Sequence, residues 1–246
     1  MRTAGARRCP PRGVSTYPVA VSGLLEYWYV FAAVSVVVFA SGVVRRRKRR
    51  AGLGAYAHGK GWRYVEDDPS LVTRFQGPPF GRGGSRRARN VMVGSHEGRH
   101  VVAFDYSYTT STGSGSSHST SSHYWSILAM HVGHPMPRLE VTPLGLVSGL
   151  VDRLVNTDQR VGSEEFNRAF RVGADSPRFA ADVLTPAMEA VALRQPEIGW
   201  RFDGDSLVSV RKGHQSVDEI EAKLAHLDAI LDNVPEVVWR EIRGGR

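Results

Sequence analysis

Four histidines lie close together in the middle of the sequence and are the first candidates for chemistry, because imidazole binds transition metals and transfers protons near neutral pH. His118 and His123 lie in a stretch rich in Ser, Thr and Gly, whereas His131 and His134 are three residues apart where a strand is expected to end. This spacing does not bring the rings to one face, and no carboxylate lies between them. We therefore predict no metal site. An alternative that stays open is a membrane-associated enzyme with a site around His131, His134 and Asp105.

A second candidate is the arginine-rich segment "GRGGSRRAR", which could hold a phosphate group with backbone amides and cations. It lacks the Lys and Ser/Thr ending of a P-loop, and no clear strand-to-helix pattern surrounds it. The Gly, Pro and Arg content of residues 76–89 predicts a solvent-exposed loop. A domain that senses a lipid or a nucleotide through Arg86, Arg87 and Arg89 is a further alternative.

Sequence signals for other catalytic groups are weak. No GxSxG nucleophile elbow occurs in the sequence. Asp67 and Asp68, like Glu164 and Glu165, are adjacent residues whose side chains diverge in regular structure, so they are poor candidates for paired acid–base catalysis. The single cysteine, Cys9, forms neither a disulfide nor a thiolate metal site within the chain. The sequence therefore predicts no catalytic residue and no cofactor.

The elements that would position these residues begin with an apolar segment. Residues 27–44 carry no charge, and as a helix rising ~1.5 Å per residue they would span roughly 27 Å, enough to cross a bilayer. Aromatic residues at its start and cations at its end are typical of the two membrane surfaces. We predict a transmembrane helix over 27–44 and a polybasic juxtamembrane segment over 45–52. Six cations are predicted to contact anionic lipid headgroups: Arg45, Arg46, Arg47, Lys48, Arg49 and Arg50.

The distribution of charge predicts the orientation. The formal net charge of +8 comes from the flanks of the apolar segment, since the first fifty residues hold ten Arg and Lys and a single acid, Glu26. This pattern argues against a nucleic-acid partner, which would require a basic face on the folded part of the chain. More cations follow the apolar segment than precede it, so we predict an N-terminus outside and a cytoplasmic C-terminal part. Residues 1–26 are predicted to be a disordered tail.

Residues 53–246 are predicted to form a cytoplasmic α+β domain with an antiparallel sheet and packed helices. Two strand-like stretches, "NVMVGSH" and "RHVVAFDYSY", are separated by Glu97 and Gly98, which predicts a tight hairpin. The alternation of the second stretch puts Phe104 and Asp105 on opposite faces of the sheet.

The later part of the chain has clear local signals. Residues 109–123 contain only Ser, Thr, Gly and His, and this composition predicts a mobile, low-complexity loop. Beyond it, "LGLVSGLVDRLV" is predicted to be a helix and "FNRAFRV" a strand. Ser176 and Thr185 precede prolines as N-caps, and Ser216 with Glu219 forms a capping box before the last long helix.

Five longer segments, distributed over residues 55–240, carry a likeness to a known family: "HGKGWRY", "FQGPPFGRG", "NVMVGSHEGRHVVAFDYSY", "FNRAFRVGADSPRFAADVLTPAM" and "LDNVPEVVW". They resemble the segments of a family of single-pass membrane proteins of unknown function that is common in actinobacteria. The resemblance implies a membrane location and an architecture, and it brings no activity with it.

Together these patterns predict a single-pass membrane protein whose cytoplasmic domain is an interaction or scaffolding module at the inner face of the membrane. Its expected partners are the anionic inner leaflet and another protein, and no cofactor is expected.

Overall fold

The computed structural model describes residues 28–113, 119–147 and 161–244. The chain divides into two compact units, residues 1–47 and 48–246, so the second unit begins before the predicted domain boundary at residue 53. The predicted tail over 1–26 lies outside the described residues.

A single helix, α1 (Trp28–Gly59), begins the described chain. Among the described residues, its segment Tyr29–Gly59 is the one helix long and apolar enough to cross a membrane. In the first unit its apolar side chains are exposed, as at Phe39, which is 75% exposed. The chain therefore has a candidate membrane anchor. The helix continues without a break through the predicted juxtamembrane segment 45–52.

The second unit is an α+β domain, as predicted. Its strands are β1 (Arg63–Asp67), β2 (Gly84–His96), β3 (Arg99–Thr112), β4 (Ser119–His131), β5 (Leu139–Pro143), β6 (Phe170–Ala174), β7 (Gly199–Asp203) and β8 (Ser206–Lys212). Its helices after α1 are α2 (Leu144–Val147), α3 (Glu164–Ala169), α4 (Pro177–Val183), α5 (Pro186–Arg194), α6 (Val217–Asp232) and α7 (Glu236–Gly244), with a short 3-10 helix at Pro69–Val72. The strands form one sheet in the order β1-β2-β3-β4-β8-β7-β5-β6, and every neighbouring pair is antiparallel.

The two faces of the sheet bury different sets of side chains. The end of α1 and the later helices cover one face, where Val101 and Ala103 of β3 belong to the larger apolar core. The segment between β1 and β2 covers part of the other face, and Phe75 packs there against Phe104. Successive β3 residues therefore alternate between two cores, as the period-2 pattern predicted.

A buried arginine holds the segment between β1 and β2 on the sheet. Arg201 of β7 is 2% exposed, and its Nη1 donates a hydrogen bond to the Pro78 carbonyl at 2.7 Å. The Asp203 carboxylate accepts a bond from the Gln76 amide at 2.7 Å. Burial lowers the pKa of Arg201, and the nearby carboxylates of Glu140 and Asp203 oppose that shift.

Two predicted loops are shorter in the structure. β3 extends to Thr112 and β4 begins at Ser119, so most of the predicted loop 109–123 is a paired ladder. β2 begins at Gly84, inside the predicted loop 76–89. In both regions backbone hydrogen bonds form the strands, and these bonds do not require apolar side chains.

The predicted hairpin turn and helix caps are confirmed, whereas one predicted strand is partly wrong. The hairpin at Glu97 and Gly98 is present, with both residues at positive φ. Ser176, Thr185 and Ser216 cap helices through their side-chain oxygens. The predicted strand "FNRAFRV" is wrong over its first half, because Ser163 caps α3 and the strand begins only at Phe170. The predicted helix "LGLVSGLVDRLV" begins as α2, and its remainder lies outside the described residues.

Candidate functional site at the anchor junction

A row of polar residues crosses five strands on the helix-covered face of the sheet. The strand registers place them side by side in the sequence of strands β1, β2, β3, β4 and β8: Asp67, Arg89, Asp105, Ser126 and Arg211. α1 and α6 cover the middle of this row and contribute charged side chains to it. We refer to these five residues as the polar row.

The Asp105 carboxylate accepts the hydrogen bond that joins α1 to the sheet. Its side chain is 7% exposed, and its Oδ2 accepts bonds from Arg49 Nη1 at 2.7 Å and from Asn90 Nδ2 at 2.6 Å. The other oxygen, Oδ1, accepts from the Gln215 amide at 2.8 Å. Arg49 is 27% exposed on its side chain and also donates to the Gln215 carbonyl at 3.3 Å. A partly buried ion pair with this many bonds fixes the helix on the sheet.

Apolar and polar contacts continue along the same side of α1. Leu53 and Ala57, one and two turns beyond Arg49, are 1% and 0% exposed. Tyr56 Oη donates to the Glu221 carboxylate at 2.9 Å. Burial raises the pKa of Tyr56, and this hydrogen bond raises it further. One side of α1, with Arg49, Leu53, Tyr56 and Ala57, thus packs against the domain.

These contacts change the expectation for the basic run. Arg49 contacts Asp105, although its sequence position predicted a lipid contact. Arg50 lies 3.8 Å from Glu66 in an exposed pair. Contact of Arg45, Arg46, Arg47, Lys48 and Arg50 with headgroups stays a prediction, and Arg49 is occupied by Asp105.

A lysine and a serine form a second buried pair in the row. Lys223 of α6 is 0% exposed, and its Nζ lies 2.8 Å from Ser126 Oγ and 2.9 Å from Glu219 Oε1. Burial lowers the pKa of Lys223 to about 8, and Glu219 opposes the shift. Glu219 is also paired with Arg211 at 3.1 Å. The buried charges of Glu219 and Lys223 are therefore neutralised inside the domain.

The Ser126–Lys223 geometry is one that serine nucleophiles use with a lysine base. Ser126 is only 1% exposed, and none of the described hollows is lined by either residue. A substrate therefore has no route to Ser126 Oγ in this conformation. The pair is best understood as a structural link between α6 and β4.

The enzyme site predicted around His131, His134 and Asp105 is not assembled. Asp105 pairs across the sheet with Ser126, five residues from His131 along β4, which corresponds to roughly 17 Å. His131 lies 3.4 Å from Asp205 instead. The strand register places Asp105 and His131 far apart, so the enzyme site predicted around His131, His134 and Asp105 is wrong in its geometry.

The described hollows also separate the two histidines. His131 lines a hollow of about 330 Å³ with His100 and Asp205. His134 lines an open groove of about 790 Å³ beside α7, which has a mixed lining that includes Trp239. Beyond α1, the exposed large apolar residues among those described are scattered: Tyr124, Leu144 and Val237. His131 and His134 therefore line separate hollows.

Arg86, Arg87 and Arg89 lie on β2 rather than in a phosphate-binding loop. Arg86 donates bonds to three backbone carbonyls of the preceding turn, those of Gly81, Arg82 and Gly83. Arg89 lies 3.5 Å from Asp67. Arg86 and Arg87 are exposed at the end of the sheet.

Within the described ranges, one group of side chains lies close enough to hold a metal ion. His96, Glu97 and Asp228 have ligand atoms within 4.8 Å of one another. The His96 and Asp228 side chains already contact each other at 2.7 Å, and Arg99 lies 3.5 Å from the same carboxylate. These contacts satisfy Asp228 and join the β2–β3 hairpin to α6.

Sequence reasoning missed the polar row almost completely. The available signal was the i, i+4, i+8 spacing of Arg49, Leu53 and Ala57, which continues an amphipathic stripe beyond the apolar segment. Lys223 had a weaker signal, since it lies next to Leu224 in the apolar stripe of α6. Neither signal identifies the partner residue across the sheet.

Comparisons with known proteins add a fold and no sequence family. No protein-family model matches this sequence, and no curated protein sequence matches it significantly. A solved structure with a similar fold is the mycobacterial trehalose monomycolate transport factor A, with a TM-score of 0.56 and 13% sequence identity. The similarity covers 77% of this chain and 97% of that chain. At this identity it shows a shared fold with an actinobacterial protein, and membership of the resembled family stays a prediction.

Proposed function

We propose that this chain is a single-pass membrane protein whose domain, residues 48–246, works on the cytoplasmic side as an interaction or scaffolding module. α1 spans the bilayer with its N-terminus outside, and the domain binds a partner protein at the inner face of the membrane. The chain carries out no reaction of its own in this proposal.

The Arg49–Asp105 ion pair is the observation that supports the proposal most directly. Its N–O distance is 2.7 Å, and it joins α1, within the basic run, to β3 of the sheet. A domain that only needed to be near a membrane could be attached by a flexible linker. A partly buried ion pair with additional bonds fixes the orientation of the domain, which a scaffold that presents one surface to a membrane partner requires.

Two further observations support a role without catalysis. Asp105, His131 and His134 do not lie together, and Ser126 beside Lys223 is 1% exposed. The protein with a similar fold is described as a transport factor, which favours an accessory role in transport over an enzymatic one. We extend to this chain only the accessory role.

The orientation is tested with two reporters fused after Arg246, one active only in the cytoplasm and one active only outside it. The expected result is activity of the cytoplasmic reporter alone, in membranes that retain the protein after alkaline extraction. Activity of the external reporter, or release of the protein by extraction, would contradict the proposal.

The module is tested by crosslinking in native membranes followed by affinity purification. The full chain should recover a protein that a truncated chain lacking residues 51–246 does not. Arg49→Ala should reduce this recovery at equal membrane abundance, because it removes the ion pair that holds α1 on the sheet. Arg50→Ala serves as the matched control. Recovery of nothing beyond what the truncated chain captures would exclude a protein-binding module.

A further inference from the structure

Two contacts define the direction in which residues 49–59 of α1 cross the sheet. Trp62, just beyond the end of α1, lies against Gly94, which pairs with Val101 at the beginning of β3. Arg49 contacts Asp105, which is further along β3. Residues 49–59 of α1 therefore run antiparallel to β3, and the domain begins, at residue 48, toward the end of the sheet beyond Asp105. We call it the anchor end. The predicted spanning segment ends at residue 44, four residues before the domain begins.

Exposed cations from three separate elements lie at the anchor end. Arg86 and Arg87 are on β2, where Arg87 pairs with Ser107, two residues beyond Asp105. Lys212 ends β8, and Lys48 belongs to α1. All four cations are exposed, and we call them the basic edge: Lys48, Arg86, Arg87 and Lys212.

The acidic residues at this end do not neutralise the basic edge. Asp105 and Glu219 are buried and paired with Arg49 and with Lys223 and Arg211, and Glu66 and Asp67 lie near Arg50 and Arg89. Asp68 accepts bonds from Ser70 at the start of the 3-10 helix. Asp68 keeps its negative charge, because Ser70 is a neutral donor, and Asp218 is exposed in the first turn of α6. These two carboxylates are fewer than the four cations of the basic edge. The outward surface of the anchor end is therefore positive.

We propose that the basic edge docks on the anionic headgroups of the bilayer in which α1 is anchored, so that the domain lies against the membrane. This inference rests on the proposed function, since it requires α1 to span the bilayer. Attraction between cations and anionic headgroups acts within a Debye length, about 8 Å at physiological salt, and the anchor holds the basic edge near the surface. The chemistry recognised is the phosphate of the lipid, presented as a surface.

The test uses the full chain in nanodiscs, with Cys9 replaced by Ser and a fluorophore attached at Ser121→Cys on the anchor-end part of β4. Ser121 is exposed and pairs with Thr110. Energy transfer to acceptors on lipid headgroups is compared between neutral discs and discs with about 30% phosphatidylglycerol. We expect higher transfer in the anionic discs, and a return to the neutral value at about 0.5 M KCl.

Matched charge reversals identify the surface responsible. The variant R86E/R87E/K212E should lower the ratio of docked to undocked domain in anionic discs at least about tenfold. The control R63E/R74E/R240E changes the net charge equally with exposed residues outside the anchor end, and it should keep the response. Circular dichroism and thermal melting of both variants establish that they are folded.

The outcomes separate the two proposals. Equal transfer in neutral and anionic discs, or an equal response of the two triple variants, would overturn docking while leaving the anchor intact. A chain that does not enter nanodiscs of either composition would overturn the proposed function itself. A response that the control variant loses equally would assign the effect to net charge and would also overturn docking through this edge.

Discussion

Removing the Asp105 carboxylate should cost far more stability than removing a neighbouring exposed carboxylate. Asp105 accepts three hydrogen bonds, at 2.6, 2.7 and 2.8 Å, and its side chain is 7% exposed. Asp105→Ala leaves the Asn90 amide and the Gln215 N–H without an acceptor and leaves Arg49 without its counter-ion. Breaking a buried ion pair in this way costs about 3–5 kcal/mol of unfolding free energy.

The ion pair itself can be isolated with a double-mutant cycle. Arg49→Ala should cost about 1–3 kcal/mol, because this side chain is 27% exposed and keeps some contact with water. The coupling energy between Arg49 and Asp105 should be about 1.5–3 kcal/mol, as expected for hydrogen bonds to a charged group. The matched cycle uses Arg50 and Glu66, which are 3.8 Å apart and 45% and 76% exposed on their side chains, so their coupling should stay below about 0.5 kcal/mol.

The assay is urea unfolding of the full chain in detergent micelles, followed by tryptophan fluorescence. Detergent keeps the apolar part of α1 dissolved, so the transition reports the domain. The Arg49–Asp105 coupling would refute our reasoning if it were no larger than that of the Arg50–Glu66 pair. This result would mean that α1 is not held on the sheet by the polar row.

Three further predictions concern titration and packing. Burial lowers the pKa of His226 to about 4, so the unfolded chain takes up this proton first as the pH falls. The free energy of unfolding should therefore drop by up to ~3 kcal/mol between about pH 6.5 and 4, and His226→Leu should remove that part of the pH dependence in urea titrations. The pKa of Lys223 is about 8, so the free energy of unfolding should increase as the pH rises from about 8 to 10, because the unfolded chain then binds more protons than the folded chain. Lys223→Met should abolish this increase, measured by urea unfolding at each pH. Gly94→Ala places a methyl group inside the ring of Trp62 and should cost about 1–3 kcal/mol, whereas Gly52→Ala, in an open helical position, should be neutral or stabilise by about 0.5–1 kcal/mol in thermal melts.

Local features were predictable because their signals lie within a few residues. Apolar content and length identified the apolar part of α1, a candidate membrane span, and the Glu97–Gly98 turn and the Ser or Thr caps defined the ends of other elements. The alternation of β3 assigned Phe104 and Asp105 to opposite faces correctly. Each of these features depends on the period or the conformational preference of adjacent residues.

Predictions failed where composition and pairing disagree. Residues 109–112 and 119–123 have the composition of a flexible loop, yet they continue the β3–β4 ladder in register. The first four residues of "FNRAFRV" were predicted as a strand but belong to α3, which begins after the N-cap at Ser163. Composition reports which side chains can be buried, and it does not report which backbone groups find a partner.

The sequence by itself determined an apolar helix with a basic end and an α+β domain of antiparallel strands, because helical and strand periods are written in consecutive residues. Only the tertiary structure decided that Arg49 contacts Asp105, 56 residues away, and that Lys223 is buried beside Ser126, 97 residues away. The cations of the basic run have the same local character whether they contact lipid or protein. Their partners depend on strand order and register, which bring distant residues together and which no local pattern specifies.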